Sequence, residues 1–90
     1  MASYELRFKE SVAKDLRLIP AKDIKRILER IETLSTQPRP LGCEKLSAKE
    51  KYRLRQGDYR IIYEIRDDDC VVIIVKIGHR RNVYQSWGAD

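Results

Sequence analysis

The sequence predicts an α+β domain of element order β-α-α-β-β-β, in which a helical hairpin covers one face of a mostly antiparallel sheet. Between residues 51 and 65, apolar side chains recur at every second position, which is the period of a strand. Between Val12 and Leu34 they recur at helical spacing instead. Such a plan leaves the second face of the sheet open to solvent or to a ligand.

The first half of the chain supplies one strand and two helices. An opening strand is predicted by apolar residues that alternate with polar ones: Tyr4, Leu6 and Phe8. A first helix is predicted by residues that share one face: Val12, Ala13, Leu16 and Ile19. A second helix is predicted by a longer stripe: Ile24, Ile27, Leu28, Ile31 and Leu34. Pro20 separates the helices, and the proline-containing residues 37–42 begin a loop.

The second half of the chain supplies three strands. Lys51–Arg55 and Tyr59–Ile65 flank the polar link 56–58, and its glycine is free to adopt positive φ, so we predict a hairpin. The continuous apolar run Cys70–Ile77 is typical of a central strand buried on both faces. We expect one core between sheet and helices, formed by Tyr4, Leu6, Phe8, Leu16, Ile24, Leu28, Ile31, Leu54, Ile61, Tyr63, Val72 and Ile74.

Composition limits the class of protein. Ninety residues suit one domain, 1–90, and a net charge of +5 favours a polyanionic partner. No stretch approaches the roughly 20 apolar residues of a membrane span, and the N-terminus lacks the apolar segment of a signal peptide. We therefore expect a cytoplasmic protein without a membrane partner. Cys43 lies in a loop and Cys70 in a predicted strand, without the spacing of a metal site or a disulfide scaffold.

Basic residues concentrate in the predicted hairpin. Arg53 and Arg55 share one strand face, about 7 Å apart, and Arg60 on the next strand can project to the same side. Like charges so placed repel one another unless an anion lies between them. Partial neutralisation by Glu64 on that face is the alternative to a bound anion.

The residue types exclude several kinds of catalysis. His79 is the only histidine, and the chain has no HExxH spacing, no Gly-rich phosphate loop and no GxSxG elbow. Metal hydrolysis and cofactor chemistry are therefore disfavoured, and we expect no cofactor. Arginines with a tyrosine and a histidine can still cleave RNA, because the ribose 2′-OH supplies the nucleophile. Guanidinium groups then stabilise the charge that grows on the phosphate.

Three segments resemble the RelE/ParE superfamily of bacterial and archaeal toxins: Tyr52–Arg55, Gly57–Tyr63 and Gly78–Tyr84. The order of elements is also similar over nearly all of the chain. The resemblance implies a RelE-like (microbial RNase-like) fold and a toxin that cleaves mRNA in the ribosomal A site without a metal. The products would be a 2′,3′-cyclic phosphate and a 5′-OH. It also implies an acidic, RelB-like antitoxin that joins the toxin in a hetero-oligomer, besides the ribosome and mRNA.

The resemblance implies roles for five residues. Arg53 and Arg60 would bind the scissile phosphate, and Arg55 would anchor phosphate or assist the 2′-OH. Arg80 would stabilise the leaving oxygen, and Tyr84 would stack on a base or help deprotonation. We expect these five in one shallow basic concavity on the face away from the helices, with a turn at residue 78 returning residue 80 to it.

Three further residues are expected to contact RNA: Lys51, His79 and Arg81. Some members of the superfamily carry lysines where this chain has Arg53 and Arg55, and an arginine is a poor general base because it stays protonated. The base therefore remains open between His79, because an imidazole suits proton transfer near neutral pH, Tyr84, and another group.

Two other functions remain open. ParE-like members of the superfamily inhibit DNA gyrase and cleave no RNA, but they generally lack the full set of basic residues and tyrosine that this chain carries. An inactive RNA-binding or antitoxin-sequestered protein is the third possibility, and the intact set disfavours it.

Overall fold

The computed structural model describes residues 3–46 and 50–83, which form a five-stranded sheet with two helices. The elements are β1 Glu5–Phe8, α1 Ser11–Arg17, α2 Ala21–Glu32, β2 Glu44–Lys45, β3 Lys51–Gln56, β4 Tyr59–Arg66 and β5 Val71–His79. The strand order is β1-β5-β4-β3-β2, and β1 is parallel to β5 while the other neighbours are antiparallel. The predicted α+β class is confirmed, and the two-residue β2 is an addition to the predicted order.

The central hairpin is formed by β3 and β4. Its loop is the two residues Gly57 and Asp58, because Gln56 and Tyr59 are the last paired residues. Gly57 has φ +58°, a conformation that costs glycine little. The predicted hairpin is confirmed, and each strand extends one residue further than predicted.

The main core lies between the helices and one face of the sheet. Its fully buried side chains include Ile27 and Ile31 of α2 and Leu54, Ile61 and Tyr63 of the hairpin. Other predicted core residues pack against it while partly exposed: Tyr4, Leu6, Leu16 and Ile24.

Two residues of the predicted core are exposed, so that part of the prediction was wrong. Phe8 is 46% exposed and Leu28 is 39% exposed. Phe8 is the last residue of β1, which lies at the edge of the sheet. Leu28 flanks the stripe that α2 buries, whose centre is Ile27 and Ile31. Periodicity identified the right face in both cases but not the limits of the layer that covers it.

The face of the sheet away from the helices carries a second, smaller apolar cluster. Ile62, Val75 and Val83 are buried there, with Leu46 packed against them. A Cβ added at Gly78 would lie 3.3 Å from Cα and Cβ of Val83, so the absence of a side chain lets the segment after β5 lie close to the strand. β5 continues through Gly78, and the predicted turn at this residue was wrong.

The edge of β5 is completed by a carboxylate from α1. β1 ends at Phe8, opposite Ile74, and the β4–β5 register shifts between Ile62 and Tyr63. On β5 beyond Ile74, the carboxylate of Asp15 accepts a hydrogen bond from the Ile77 N–H at 3.1 Å and one from Lys76 Nζ at 2.7 Å. Asp15 is 8% exposed. The carboxylate thus satisfies a strand N–H that β1 does not reach.

Arg39 connects the loop after α2 to the far end of the sheet. Its guanidinium lies 2.8 Å from Asp67 Oδ2 and 3.1 Å from Glu50 Oε2, and Nε donates to the Tyr52 hydroxyl at 2.9 Å. The hydrogen bonds from Arg39, followed by that from Tyr4, lower the pKa of Asp67 below its ordinary value. Three segments of the chain therefore meet at this one guanidinium: the loop that carries Arg39, residues 50–52, and Asp67.

Cys70 precedes β5 rather than opening it. It follows the 3-10 turn Asp67–Asp69 in a left-handed conformation with φ 53°, and its N–H donates to the Asp67 carbonyl at 3.2 Å. The expectation that Cys70 lies in a strand was therefore wrong. Neither helix in the described ranges has the length and apolar character that crossing a bilayer requires.

Candidate active site

The arginines of β3 lie on the face of the sheet away from the helices. Tyr52 and Leu54 are buried in the main core beneath the helices, so the alternating residues Arg53 and Arg55 point to the opposite face. Lys51 shares their phase and stands opposite Glu64 on β4. Arg53 is partly buried, whereas Arg55 is exposed.

Arg60 stands directly opposite Arg55 across the hairpin, and on its other side it pairs with Gly78 of β5. Its guanidinium turns back along the strand and donates to the Gly57 carbonyl at 3.0 Å and to the Tyr59 carbonyl at 2.9 Å. Directly opposed cations destabilise a sheet, and a phosphate between them would remove that repulsion. The predicted grouping of Arg53, Arg55 and Arg60 on one face is what the register shows.

Arg80 lies at the same end of the sheet as the hairpin loop. Its backbone N–H donates to the Asp58 carbonyl at 2.7 Å, and its Nε lies 3.9 Å from Asp58 Oδ1. Since Arg60 also contacts this loop, the loop is the common neighbour of both arginines. Tyr84, the fifth predicted catalytic residue, lies outside the described residues.

His79 projects to the helix side of the sheet, away from the arginines of the hairpin. It pairs with Tyr59, and the two rings meet edge to face with centroids 5.7 Å apart. Its Nδ1 accepts the backbone N–H of Arg81 at 3.2 Å, while the Arg81 side chain is exposed. The structure therefore separates His79, a candidate general base, from the face that carries Arg53, Arg55 and Arg60.

Two carboxylates that the sequence analysis did not assign to the site accompany the arginines. Glu44 of β2 forms an ion pair with Arg53, and Asp58 forms one with Arg80. Glu44 stands opposite Arg53 in the sheet, but a two-residue strand has too few residues to show a period. In the sequence, Glu44 therefore carries no signal beyond its charge.

The chemistry available on this face is the binding of phosphate. Guanidinium groups offer paired N–H donors and a permanent positive charge, which match the oxygens of a phosphodiester. In residues 3–46 and 50–83, no three His, Cys, Asp or Glu side chains come together as ligands for a metal ion.

Similarity to known proteins agrees with this fold. Residues 6–84 match the family model described as the ParE toxin of type II toxin–antitoxin systems, parDE. The protein named toxin RelE1 of Methanocaldococcus jannaschii is 36% identical over 89 residues, which cover 92% of this chain and 97% of that protein.

Two solved structures have the same architecture. The toxin–antitoxin complex RelBE2 of Mycobacterium tuberculosis contains a chain with a TM-score of 0.78 and 28% identity, covering 89% of this chain and 94% of its own. The archaeal RelE–RelB complex of Pyrococcus horikoshii gives a TM-score of 0.76 and 30% identity, covering 87% of this chain and 96% of its own.

The α+β architecture, a small sheet covered by helices on one face, is thus one that this chain shares with toxins of toxin–antitoxin complexes. The chain belongs to the ParE toxin family of type II toxin–antitoxin systems. Within it, the relative named toxin RelE1 and the matching toxin–antitoxin structures make this chain a toxin of the RelE type.

Proposed function

We propose that this toxin is a ribosome-dependent endoribonuclease that cleaves mRNA in the A site without a metal and so inhibits translation. The observation that carries the proposal is the grouping of Arg53, Arg55 and Arg60 on the face of the sheet away from the helices. The ribosome and mRNA are the partners of the toxin in this reaction, and the toxin acts in the cytoplasm.

The reaction follows from the chemistry of RNA. The ribose 2′-oxygen forms a bond to the adjacent phosphorus while the bond from phosphorus to the 5′-oxygen breaks, which leaves a 2′,3′-cyclic phosphate and a 5′-OH. One proton leaves the 2′-OH and one reaches the departing 5′-oxygen. The protein must hold the two oxygens in line, neutralise the phosphorane and assist both transfers.

Each arginine has a role that its position supports. Arg53 and Arg60 bind the scissile phosphate, and Arg55, exposed opposite Arg60, anchors it or assists the 2′-OH. Arg80 at the hairpin loop stabilises the leaving oxygen. A positioned donor of this kind contributes about 2.7–4 kcal/mol to the transition state. Since His79 lies on the other face, Tyr84 is the better of the two candidates for the base.

An acidic, RelB-like antitoxin is the proposed partner that inhibits the toxin in a hetero-oligomer. The matching structures from M. tuberculosis and P. horikoshii are toxin–antitoxin complexes. The net charge of +5 also favours an acidic partner.

Inhibition of DNA gyrase is a second candidate function, and the description of the matching family model as a ParE toxin supports it. The two candidates predict different targets, so one pair of assays separates them. Primer extension on mRNA in a translating extract detects cleavage, and relaxed-plasmid supercoiling detects inhibition of gyrase.

We expect the parent toxin to cut mRNA and to leave supercoiling unchanged, and we expect Arg53→Ala to abolish the cuts. Arg17→Ala is the matched control, because Arg17 is exposed at the end of α1 and should leave cleavage unchanged. Intact mRNA together with inhibited supercoiling would instead support the gyrase function.

A further inference from the structure

A cleft of about 320 Å³ lies where β3 extends beyond its short pairing with β2. Three arginines and one glutamate are among the residues that line it: Arg30, Arg53, Arg55 and Glu44. Arg30 belongs to the last turn of α2, so the cleft joins the helix layer to the arginine face around the edge of the sheet. Cations in such excess make the cleft a place for an anion.

Glu44 already places an anion in this cleft. Its carboxylate pairs with Arg53, whose side chain is 26% exposed, while the Glu44 side chain is 59% exposed. A carboxylate and a phosphate present similar oxygens to a guanidinium fork. An exposed ion pair contributes little to stability, so a phosphate can replace Glu44 at low cost.

We propose that the cleft is a subsite for an RNA phosphate, in which Arg30 is a binding residue and Glu44 is a carboxylate that the phosphate displaces. The inference rests on the proposed function, because RNA supplies the phosphate. Removal of the Glu44 charge should therefore strengthen RNA binding, whereas removal of the Arg30 charge should weaken it.

The test measures the binding of the full chain to a labelled single-stranded RNA whose 2′-hydroxyls are methylated, so that it cannot be cut. Fluorescence anisotropy over a salt series gives both the affinity and its salt dependence. We expect Glu44→Gln to bind about threefold to fivefold more tightly. The slope of log K against log salt should become steeper by about 0.7, since Arg53 then neutralises an RNA phosphate, and releases its condensed counterion, without uncovering the Glu44 carboxylate.

Matched controls separate the subsite from general charge effects. Glu64→Gln removes the same charge from the same face, opposite Lys51, and should raise affinity less and leave the slope unchanged. Arg30→Gln should weaken binding and reduce the slope by about 0.7. Arg26→Gln, an exposed change on the same helix, should leave the slope at the parental value.

The outcomes also separate this inference from the proposed function. Equal affinities and slopes for Glu44→Gln and Glu64→Gln would overturn the subsite, and so would equal values for Arg30→Gln and Arg26→Gln. A parent that cuts ribosome-bound mRNA while failing to bind the RNA probe would overturn the subsite alone. Absence of both cleavage and binding would overturn the inference together with the proposed function.

Discussion

At the scale of single residues, Arg55 and Arg60 are directly opposed on neighbouring strands. Two cations at that separation cost a sheet stability, and the Arg60 side chain is held back by the carbonyls of Gly57 and Tyr59. A cost of this kind is expected where a site awaits an anionic ligand. Stability and activity should therefore respond in opposite directions when one of the two charges is removed.

Arg55→Gln tests that relation. The free energy of unfolding should stay equal or rise by about 0.2–1 kcal/mol, because the repulsion from Arg60 is relieved. Cleavage of A-site mRNA should fall by at least about tenfold. Arg66→Gln is the matched control, since Arg66 shares the strand and face of Arg60 at the other end of β4. A variant that loses stability and keeps its activity would contradict this account of Arg55.

Arg80→Ala tests the contribution of the leaving-group donor. Arg80 is exposed beside Asp58, so its truncation should change the unfolding free energy by no more than about 0.5 kcal/mol. Cleavage should slow by about 10²-fold or more, whereas ribosome binding should weaken far less, because other cations share the phosphate contacts. Thermal melting measures the stability, ribosome pelleting measures the binding, and primer extension measures the cleavage. Parental cleavage in this variant would remove Arg80 from the mechanism.

The sequence was sufficient to place the hairpin arginines on one face of the sheet, but it did not identify the carboxylates that pair with the site arginines. Alternation with the buried Tyr52 and Leu54 fixed the direction of Arg53 and Arg55, because one face of β3 is covered. The face to which His79 projects was not predictable, because the face on which the last residue of β5 lies depends on the register shift in the β4–β5 pairing. A local irregularity of this kind leaves no mark in the period of the sequence.

At the scale of elements, the segment after β5 depends on close contact with the strand. Gly78 stands beside Arg60 in the sheet, and Val83 lies against it at 3.3 Å from the position of a Cβ. The contact involves Val83 Cα, so a side chain at residue 78 would move backbone rather than a flexible tip. The position of Val83 is thus coupled to the strand that pairs with Arg60.

Gly78→Ala should therefore lower the unfolding free energy by about 1–3 kcal/mol through overpacking. Cleavage measured well below the melting temperature should also fall, since the segment after β5 is displaced. Chemical denaturation of the variant and the parent measures the unfolding free energy. Primer extension with the same protein preparations, not denatured, measures cleavage. Asn82→Ala, an exposed change in the same turn, serves as control. An unchanged midpoint for Gly78→Ala would contradict the contact.

The cluster around Arg39 predicts how stability depends on pH. Hydrogen bonds from Arg39 and then from Tyr4 lower the pKa of Asp67 below its ordinary value of 3.8. A lowered pKa in the folded state means that the contribution of Asp67 is complete above that ordinary value. It is lost as the pH falls through the folded pKa.

Asp67→Asn should therefore lower the melting temperature at pH 7, and the difference from the parent should shrink as the pH falls below 3.8. Asp68→Asn is the matched control, because Asp68 is the exposed neighbour and forms no ion pair with Arg39 in the described part of the chain. Melting curves over a pH series provide the measurement. A difference that stays constant down to the lowest pH would refute this role for Asp67.

Long periodic elements were predictable, and short or terminal ones were not. The stripe of α2 and the apolar run of β5 gave the helix and the buried strand, since a long segment repeats its period several times. β2 has two polar residues and forms only because β3 offers an edge. Phe8 and Leu28 were misplaced because a period gives the direction of a side chain, whereas its burial depends on neighbouring elements.

At the scale of the whole molecule, one face of the sheet forms the main core and the other carries the candidate site. The helices bury one face in the main core, and the other carries the arginines together with the small cluster of Ile62, Val75 and Val83. Stability therefore comes mainly from residues that the site does not use. Substitutions of the exposed site arginines should accordingly change activity without unfolding the protein, which makes the central claim directly testable.

The most direct test identifies the ends of the RNA that the toxin produces on ribosomes programmed with a defined mRNA. The proposed reaction predicts a single A-site cut that leaves a 2′,3′-cyclic phosphate on one fragment and a 5′-OH on the other, with the cut absent for Arg53→Ala. Fragments that end in a 3′-OH and a 5′-phosphate, or mRNA that stays intact while gyrase is inhibited, would contradict the account.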